Sequence, residues 1–220
     1  MNFNLADWFI KRAQSANPYQ KKENNRQIEI EILLKLLNAI DYRFDLNSLE
    51  LIGDDRVSIG IDGQATELSN LSSGFASLLK VLQAIVAGYA NFTNEVQLTH
   101  VPGIVLIDEI ESHLHSEWQA KIISLLKRLF PNTTFYVATH SPLVLTQLQQ
   151  GEAYVLERDP QDNVVRSSVI KAPNNRIFVD VLKDAFGVDL NAIKAQRLRT
   201  EDQTAAKEKL LALLLNEGDA

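Results

Sequence analysis

The sequence has no cysteine, and no apolar run in it is long enough to span a membrane. Without cysteine the chain can form neither disulfide bonds nor thiolate metal sites, a composition that suits a reducing cytoplasm. The first residues, Met1-Asn2-Phe3, do not begin a secretory signal. We therefore expect a cytoplasmic protein that has no membrane partner.

An excess of positive charge is also lacking. The formal net charge is −6 at pH 7, so the chain has no overall attraction to nucleic acid, and DNA binding would need a local patch. The most basic window lies between residues 11 and 26. A solvated linker is the simpler interpretation of this window, and contact with DNA phosphates is the alternative.

A phosphate-binding loop is the third absence. No Gly-x-x-x-x-Gly-Lys-Ser/Thr sequence occurs, and none of the nine glycines is followed by lysine. The glycine-rich loop that holds phosphates in P-loop nucleotidases is therefore missing from this sequence.

Two short apolar runs nevertheless end in residues that suit phosphate chemistry. Residues 103–107 are followed by Asp108 and Glu109, and residues 134–138 are followed by Thr139 and His140. Runs that are apolar on both faces and rich in β-branched or aromatic residues fit buried strands of a parallel sheet. We predict two such strands.

The segment between the two runs, residues 116–130, has the apolar spacing of one helix, with Ser116 to cap its start and Pro131 after its end. A strand, a helix and a second strand predict a parallel crossover unit. The acidic pair and the histidine would then lie at the carboxyl edge of the sheet, where open parallel sheets bind ligands.

Each of these three side chains has a chemical role open to it. Asp108 would hold Mg²⁺ through water, Glu109 would orient the attacking water as a general base, and His140 would bind the terminal phosphate. Taken singly, each residue has a simpler interpretation as a loop or a strand cap. Their common spacing favours phosphate hydrolysis.

A possible anion site lies upstream, where apolar residues recur at helical spacing from residue 73 to residue 89. Ser72, Ser73 and Gly74 would stand at the N-terminus of that helix, where free N–H groups and the helix dipole attract phosphate. A helix start that is merely capped is the alternative.

In this order the motifs resemble the ATP-binding-cassette (ABC) superfamily, and within it the RecF-like and SMC-like ATPases of prokaryotes. Residues 103–109 are similar to the Walker B strand, residues 71–75 to the signature segment, and residues 138–142 to the switch-histidine loop. Residues 108–119 resemble a bacterial subgroup that is found near phage-defence and restriction genes. The signature segment departs from the family at Ser73, where Gly or Asp is usual.

The resemblance implies an α/β fold: the C-terminal part of an ABC-type P-loop ATPase, with a mostly parallel sheet flanked by helices and a small edge hairpin. Residues 1–27 would be an N-terminal helix and linker from a missing or separate lobe, and residues 28–220 the C-terminal lobe. It also implies ATP and Mg²⁺ as cofactors, with Ser72, Ser73 and Gly74 acting on ATP held by another subunit. His113 and His115 would lie in the D-loop, residues 111–115, at the subunit interface.

Several further elements follow from local patterns. A strand hairpin is predicted within residues 49–68, with strands at 49–52 and 57–61. The acidic residues at 157, 159 and 162 fit a turn better than a nuclease cluster. Helices are predicted at residues 28–40, 142–148, 175–186 and 200–215, and a strand is predicted at residues 153–156.

The leading hypothesis is ATP binding and hydrolysis by the signature and Walker B half of an ABC-type ATPase, in DNA maintenance or phage defence. Partners would be a second copy in a head-to-tail dimer or a lobe that carries Walker A, with DNA and an effector protein as further partners. Because the Walker A sequence is missing, three interpretations of the chain stay open: a fragment, a split subunit or a degenerate relative. The alternative function is a non-catalytic module that binds a partner.

Overall fold

The computed structural model describes residues 5–16, 19, 21, 25–53, 55–93 and 97–200, with side chains up to residue 197. The chain forms two compact units, residues 1–147 and residues 148–220. The boundary that the sequence predicts near residue 27 stays a prediction. The helix predicted at 200–215 lies outside the described residues except for its first position.

The first unit begins with two packed helices, α1 (Leu5–Ser15) and α2 (Gln27–Ile40). They are joined by Glu29, which is fully buried and accepts hydrogen bonds from Arg12 Nε at 3.1 Å and Arg26 Nη1 at 3.0 Å. A buried carboxylate needs such partners, because an unpaired charge in the interior is costly. These two arginines of the basic window therefore pair with a buried carboxylate, and residues 5–15 form a packed helix.

An antiparallel sheet follows, with strands β1 (Phe44–Ile52), β2 (Arg56–Ile61) and β3 (Gln64–Glu67) in that order. The sequence predicted only the β1–β2 hairpin. The third strand forms because Asp62 and Gly63 both adopt positive φ, 51° and 73°, which is the geometry of a tight hairpin turn. The Asp-Gly pair was the available signal for it.

Helix α3 (Ser73–Phe92) is the long helix of the first unit and packs on α2. Its side chains at Leu78, Leu79, Leu82 and Val86 are fully buried. In the described part of the chain it is also the one helix that is long and apolar enough, at mean hydropathy 1.3, to pass a test for a membrane span. The sequence predicted no such segment, and 33% of the residues in the apolar window are buried.

Strands β4 (Gly103–Ile107) and β5 (Thr133–Val137) pair in parallel, as predicted, with Ile107 opposite Val137. The expected burial of both faces is wrong, because Ile104, Leu106 and Tyr136 are exposed on one face. Parallel pairing is confined to these two strands in the described residues, while the other two sheets are antiparallel. The parallel pair carries both sequence motifs at its carboxyl edge.

The single helix predicted between these strands is wrong. The structure has two helices, α4 (Ser116–Gln119) and α5 (Ile122–Leu129), and α4 is preceded by His115 as its N-cap residue rather than Ser116. Between α4 and α5, the Gln147 side chain bonds backbone groups that a continuous helix would pair with each other. Its Oε1 accepts from the Ile123 and Ser124 amides at 3.0 and 3.3 Å, and its Nε2 donates to the Gln119 carbonyl at 2.6 Å.

Helix α6 (Pro142–Leu145) closes the first unit and is shorter than the predicted 142–148. The second unit contains the hairpin β6 (Tyr154–Arg158) and β7 (Val165–Val169), then α7 (Phe178–Phe186) and α8 (Leu190–Thr200). The strands β6 and β7 form a two-stranded sheet of their own.

Two details of the second unit bear on the predictions. Asp159 and Asp162 accept backbone amide bonds inside the turn and pair with Arg166, which fits the turn interpretation of these carboxylates. The predicted helix at 175–186 begins at residue 178, and Ile177, its N-cap residue, is 72% exposed.

Candidate functional site

The loops that follow β4 and β5 lie side by side at the carboxyl edge of the parallel pair. The Ala138 amide donates to the Ile107 carbonyl at 2.9 Å, and the Ile110 amide donates to the Ala138 carbonyl at 3.4 Å. The parallel register thus continues past the strands. The structure therefore brings Asp108 and Glu109 to the same edge as His140, and all three side chains are exposed there.

The loop after β4 has an unusual backbone. Glu109 and His113 adopt positive φ, 47° and 64°, which costs a residue with a β-carbon roughly 1–2 kcal/mol. Ser112 Oγ donates to Glu109 Oε2 at 3.1 Å and holds the carboxylate over the loop. Strain of this kind concentrates at functional sites, where the surrounding structure maintains it.

The carboxylates at this edge suit one kind of metal site. In the part of the chain that the structure describes, no group of three or more His, Cys, Asp or Glu side chains could hold a metal ion. A lone exposed aspartate fits Mg²⁺, which keeps several waters and is bound through one or two carboxylates together with substrate phosphates. Asp108 fits that role, and His113 and His115 do not form a metal site with it.

Glu111 joins the two loops, and the sequence analysis did not single it out. Its Oε2 accepts from Thr139 Oγ1 at 2.5 Å, and its Oε1 accepts from the His140 amide at 2.6 Å. Partial burial raises the pKa of Glu111, but the bonds from Thr139 and His140 outweigh burial, so this pKa lies below its ordinary value. The ionised carboxylate of Glu111 thus accepts a hydrogen bond from the backbone amide of His140.

The loop after β5 is also tied to helix α4. Ser141 Oγ donates to Gln119 Oε1 at 2.7 Å, and Gln119 Nε2 donates to the Leu114 carbonyl at 2.8 Å. The Ser141 amide donates to Thr139 Oγ1 at 3.0 Å. The histidine loop is therefore held from both of its flanks.

The signature segment forms the start of α3, as predicted. Ser72 is its N-cap, with Oγ accepting from the Phe75 amide at 3.3 Å, so its hydroxyl already caps the helix. Ser72 and Ser73 are exposed, whereas Gly74 is buried. Their role as an anion site stays a prediction.

Aromatic contacts fix the direction of this helix start. The ring of Phe75 stacks on Phe44 at 4.7 Å and meets Trp118 edge to face at 6.1 Å. A β-carbon at Gly74 would lie 2.7 Å from Cδ2 of His115. His115 of the D-loop therefore lies against the signature segment of the same chain.

Comparison with known proteins identifies the family. The model of the family described as "AAA domain, putative AbiEii toxin, Type IV TA system" matches residues 35–146, just over half of the chain. The chain belongs to this AAA-domain family. The matched range contains the signature segment, both parallel strands and the histidine loop, so the expected membership among ABC- and SMC-like ATPases is confirmed.

Relatives of this AAA-domain chain carry defence-system names. It is 36% identical over 129 residues to a protein named "Septu protein PtuA" from Bacillus mycoides (strain KBAB4), which covers 56% of this chain and 17% of the relative. It is 31% identical over 147 residues to "Retron Vc95 probable ATPase" from Vibrio cholerae serotype O1 biovar El Tor, covering 62% and 28%. The matches thus span less than a third of these two relatives.

A solved structure also resembles the chain. The SMC head domain from Thermotoga maritima aligns with a TM-score of 0.49 at 18% identity, covering 75% of this chain and 52% of that one.

Proposed function

We propose that this chain supplies the signature and Walker B half of an ABC-type ATPase, which hydrolyses ATP together with a lobe that carries Walker A. One observation carries the proposal. Asp108, Glu109 and His140 come from two neighbouring parallel strands and meet at one exposed edge, with the acidic loop held in a strained backbone.

The roles follow from the chemistry of the side chains. Asp108 would hold Mg²⁺ through water, and the ion would supply charge neutralisation at the phosphates. Glu109 orients the attacking water and accepts its proton, an effect worth roughly 10²–10⁴-fold in rate. His140 donates a hydrogen bond to the terminal phosphate.

The signature segment acts on the nucleotide of another subunit. Ser72 and Ser73 are exposed at the N-terminus of a 20-residue helix, where backbone N–H groups attract an anion. In a head-to-tail dimer this end would close over ATP held by the partner. His115, which lies against Gly74, and His113 in the same loop would then border the interface.

The surface on which the Walker A lobe would dock is the exposed sheet face, defined by Ile104, Leu106 and Tyr136. These side chains are 66%, 79% and 62% exposed on one side of β4 and β5. Parallel sheets are normally covered on both faces, and contiguous exposed apolar side chains mark interaction sites. A lobe that adds strands and a helix to this face would cover it.

The biological setting is part of the same proposal. Relatives named as a Septu protein and a retron ATPase support a role in phage defence. DNA maintenance is the other setting in which these motifs would serve, with DNA and an effector protein as partners.

The test is phosphate release by this chain assembled with the polypeptide that supplies Walker A. Glu109→Gln and His140→Ala should each lower turnover at least tenfold. Glu117→Gln is the matched control, since Glu117 is exposed on α4 and pairs with Lys121, four residues along the chain. Unchanged turnover in Glu109→Gln would refute the proposal.

A second candidate is a non-catalytic module that binds a partner. The absence of any Gly-Lys pair in the sequence favours it. Calorimetric titration of the chain alone with ATP and Mg²⁺ should give no binding under either proposal. A stable complex whose ATP hydrolysis survives both substitutions, or never occurs, would favour the second candidate.

A further inference from the structure

Glu111 occupies a position between the two halves of the proposed catalytic edge. It lies in the loop that carries Asp108 and Glu109, yet both of its carboxylate oxygens bind the loop that carries His140. Charge-assisted bonds of this kind are shorter and about twice as strong as neutral ones. Both contacts of the carboxylate are short, 2.5 Å from Thr139 Oγ1 and 2.6 Å from the His140 amide.

The bond to the His140 amide has a geometric consequence. The ring of His140 would reach the phosphate. A hydrogen bond from the His140 amide to Glu111 therefore fixes the position of the α-carbon from which that ring projects. The second bond, from Thr139 Oγ1, prevents the loop from turning about the first. Thr139 Oγ1 in turn accepts from the Ser141 amide, so one carboxylate orders three successive residues.

The main-chain hydrogen bonds between the two loops cannot order residues 139–141 alone. They end at the 3.4 Å bond from the Ile110 amide to the Ala138 carbonyl, one residue short of Thr139. Beyond that bond, the Glu111 side chain continues the connection between the loops. The left-handed turn at Glu109 directs the chain so that residue 111 reaches across.

We propose that Glu111 is a positioning residue, which holds His140 in register with Asp108 and Glu109 by binding the Thr139 hydroxyl and the His140 amide. This rests on the proposed function, because the register matters only if His140 acts on the same phosphate as Glu109. Glu111 itself does not touch the reacting atoms. Misplacement of a reacting group by about 1 Å can cost roughly 100-fold in rate.

The first experiment needs no nucleotide and no partner. Amide hydrogen exchange at His140 is measured by NMR in the full chain and in Glu111→Ala, with Glu117→Ala as the matched control. We expect exchange at His140 to be about tenfold faster in Glu111→Ala, because a charge-assisted bond is lost, and unchanged in the control. Unchanged exchange in Glu111→Ala would overturn the proposal.

A second pair of variants covers the case in which Glu111→Ala perturbs the fold. Thr139→Val removes one donor to the carboxylate, and Thr139→Ser keeps it. Faster exchange at His140 in the valine variant with recovery in the serine variant would support the proposal. Equal exchange in the two variants would contradict it.

The second experiment measures kinetics in the assembly that contains Walker A. Glu111→Ala should lower kcat about tenfold or more and leave KM within about twofold, since Asp108 and the signature segment are untouched. A change confined to KM, or kcat equal to that of Glu117→Ala, would overturn the positioning role. A wild-type assembly that hydrolyses no ATP would contradict the proposed function and the catalytic part of this proposal. Amide exchange at His140 would still test separately whether Glu111 binds the His140 amide.

Discussion

Gly74 lies against the imidazole ring of His115, so closely that a β-carbon at residue 74 would be 2.7 Å from Cδ2 of the ring. This contact joins the start of α3 to the loop that follows β4. Trp118 lies behind it, 3.5 Å from the same point. The glycine is therefore required by packing within the chain, apart from any ligand.

Alanine at residue 74 should displace the His115 ring. Gly88 offers a matched control on the same helix, because a β-carbon there meets nothing within 4 Å. Alanine at residue 88 should stabilise the helix, and we expect Gly74→Ala to be less stable than Gly88→Ala by about 1–2 kcal/mol in urea unfolding.

A second substitution tests the cause of that difference. His115→Ala removes the ring, so the cost of Gly74→Ala should shrink in the His115→Ala background if the contact is responsible. Equal stability of the two single glycine variants would show instead that the ring rotates away freely.

The glycine also marks a limit of the sequence analysis. The helix start at residues 72–74 was predictable because apolar residues recur every third or fourth position from Phe75 onward. The reason for glycine at residue 74 was not predictable. The sequence pattern suggested close approach to an anion and did not indicate contact with a histidine 41 positions downstream. Contacts between distant segments leave no periodic trace in a sequence.

The exposed sheet face gives a prediction about assembly. Leu106→Lys should leave the chain folded, because the side chain is already exposed, but should prevent association with the Walker A lobe by placing a charge on its docking surface. Leu156→Lys is the control, as Leu156 is 70% exposed on β6 in the second unit. Size-exclusion chromatography of the mixed polypeptides measures the outcome.

Loss of association in both leucine variants would point to a general effect of added charge. Association that persists in Leu106→Lys would remove the exposed sheet face as the docking surface.

Gln147 should stabilise the break between α4 and α5. Gln147→Ala leaves the Ile123 and Ser124 amides and the Gln119 carbonyl without this partner, and we expect a loss of about 1–3 kcal/mol. Gln149→Ala is a suitable control, because the bonds between Gln149 and Glu152 use the backbone amide and carbonyl of Gln149, which alanine keeps. Chemical unfolding followed by circular dichroism measures both variants, and equal stability would contradict this role.

The same residue explains why the break was not predicted. The apolar spacing of residues 116–130 continues across residues 120 and 121, so the pattern alone favours one helix. The two-helix arrangement depends on the side chain of Gln147, which follows β5 in the sequence. The strands on either side were predictable, because their continuous apolar runs have few alternatives in a folded chain.

The carboxylate of Glu111 gives a prediction of pH dependence. Its pKa in the folded chain lies below the ordinary value of 4.5, against the effect of burial, because of the bonds from Thr139 and His140 and the nearby His140 ring. A group whose pKa is lowered on folding binds protons more readily when unfolded, so it stabilises the fold above about pH 4.5. That contribution is lost as the pH falls through the lower, folded pKa.

Glu111→Gln cannot ionise, so it should be less stable than the wild-type chain by about 1 kcal/mol near neutral pH. The difference should be largest above the ordinary pKa of 4.5 and decrease as the pH falls below it, through the lower pKa of Glu111 in the folded chain. Urea unfolding of both chains between pH 3 and pH 7 measures it. A difference that stays constant across this range would mean that the lost bond, and not the charge of Glu111, accounts for the effect, since only the charge titrates.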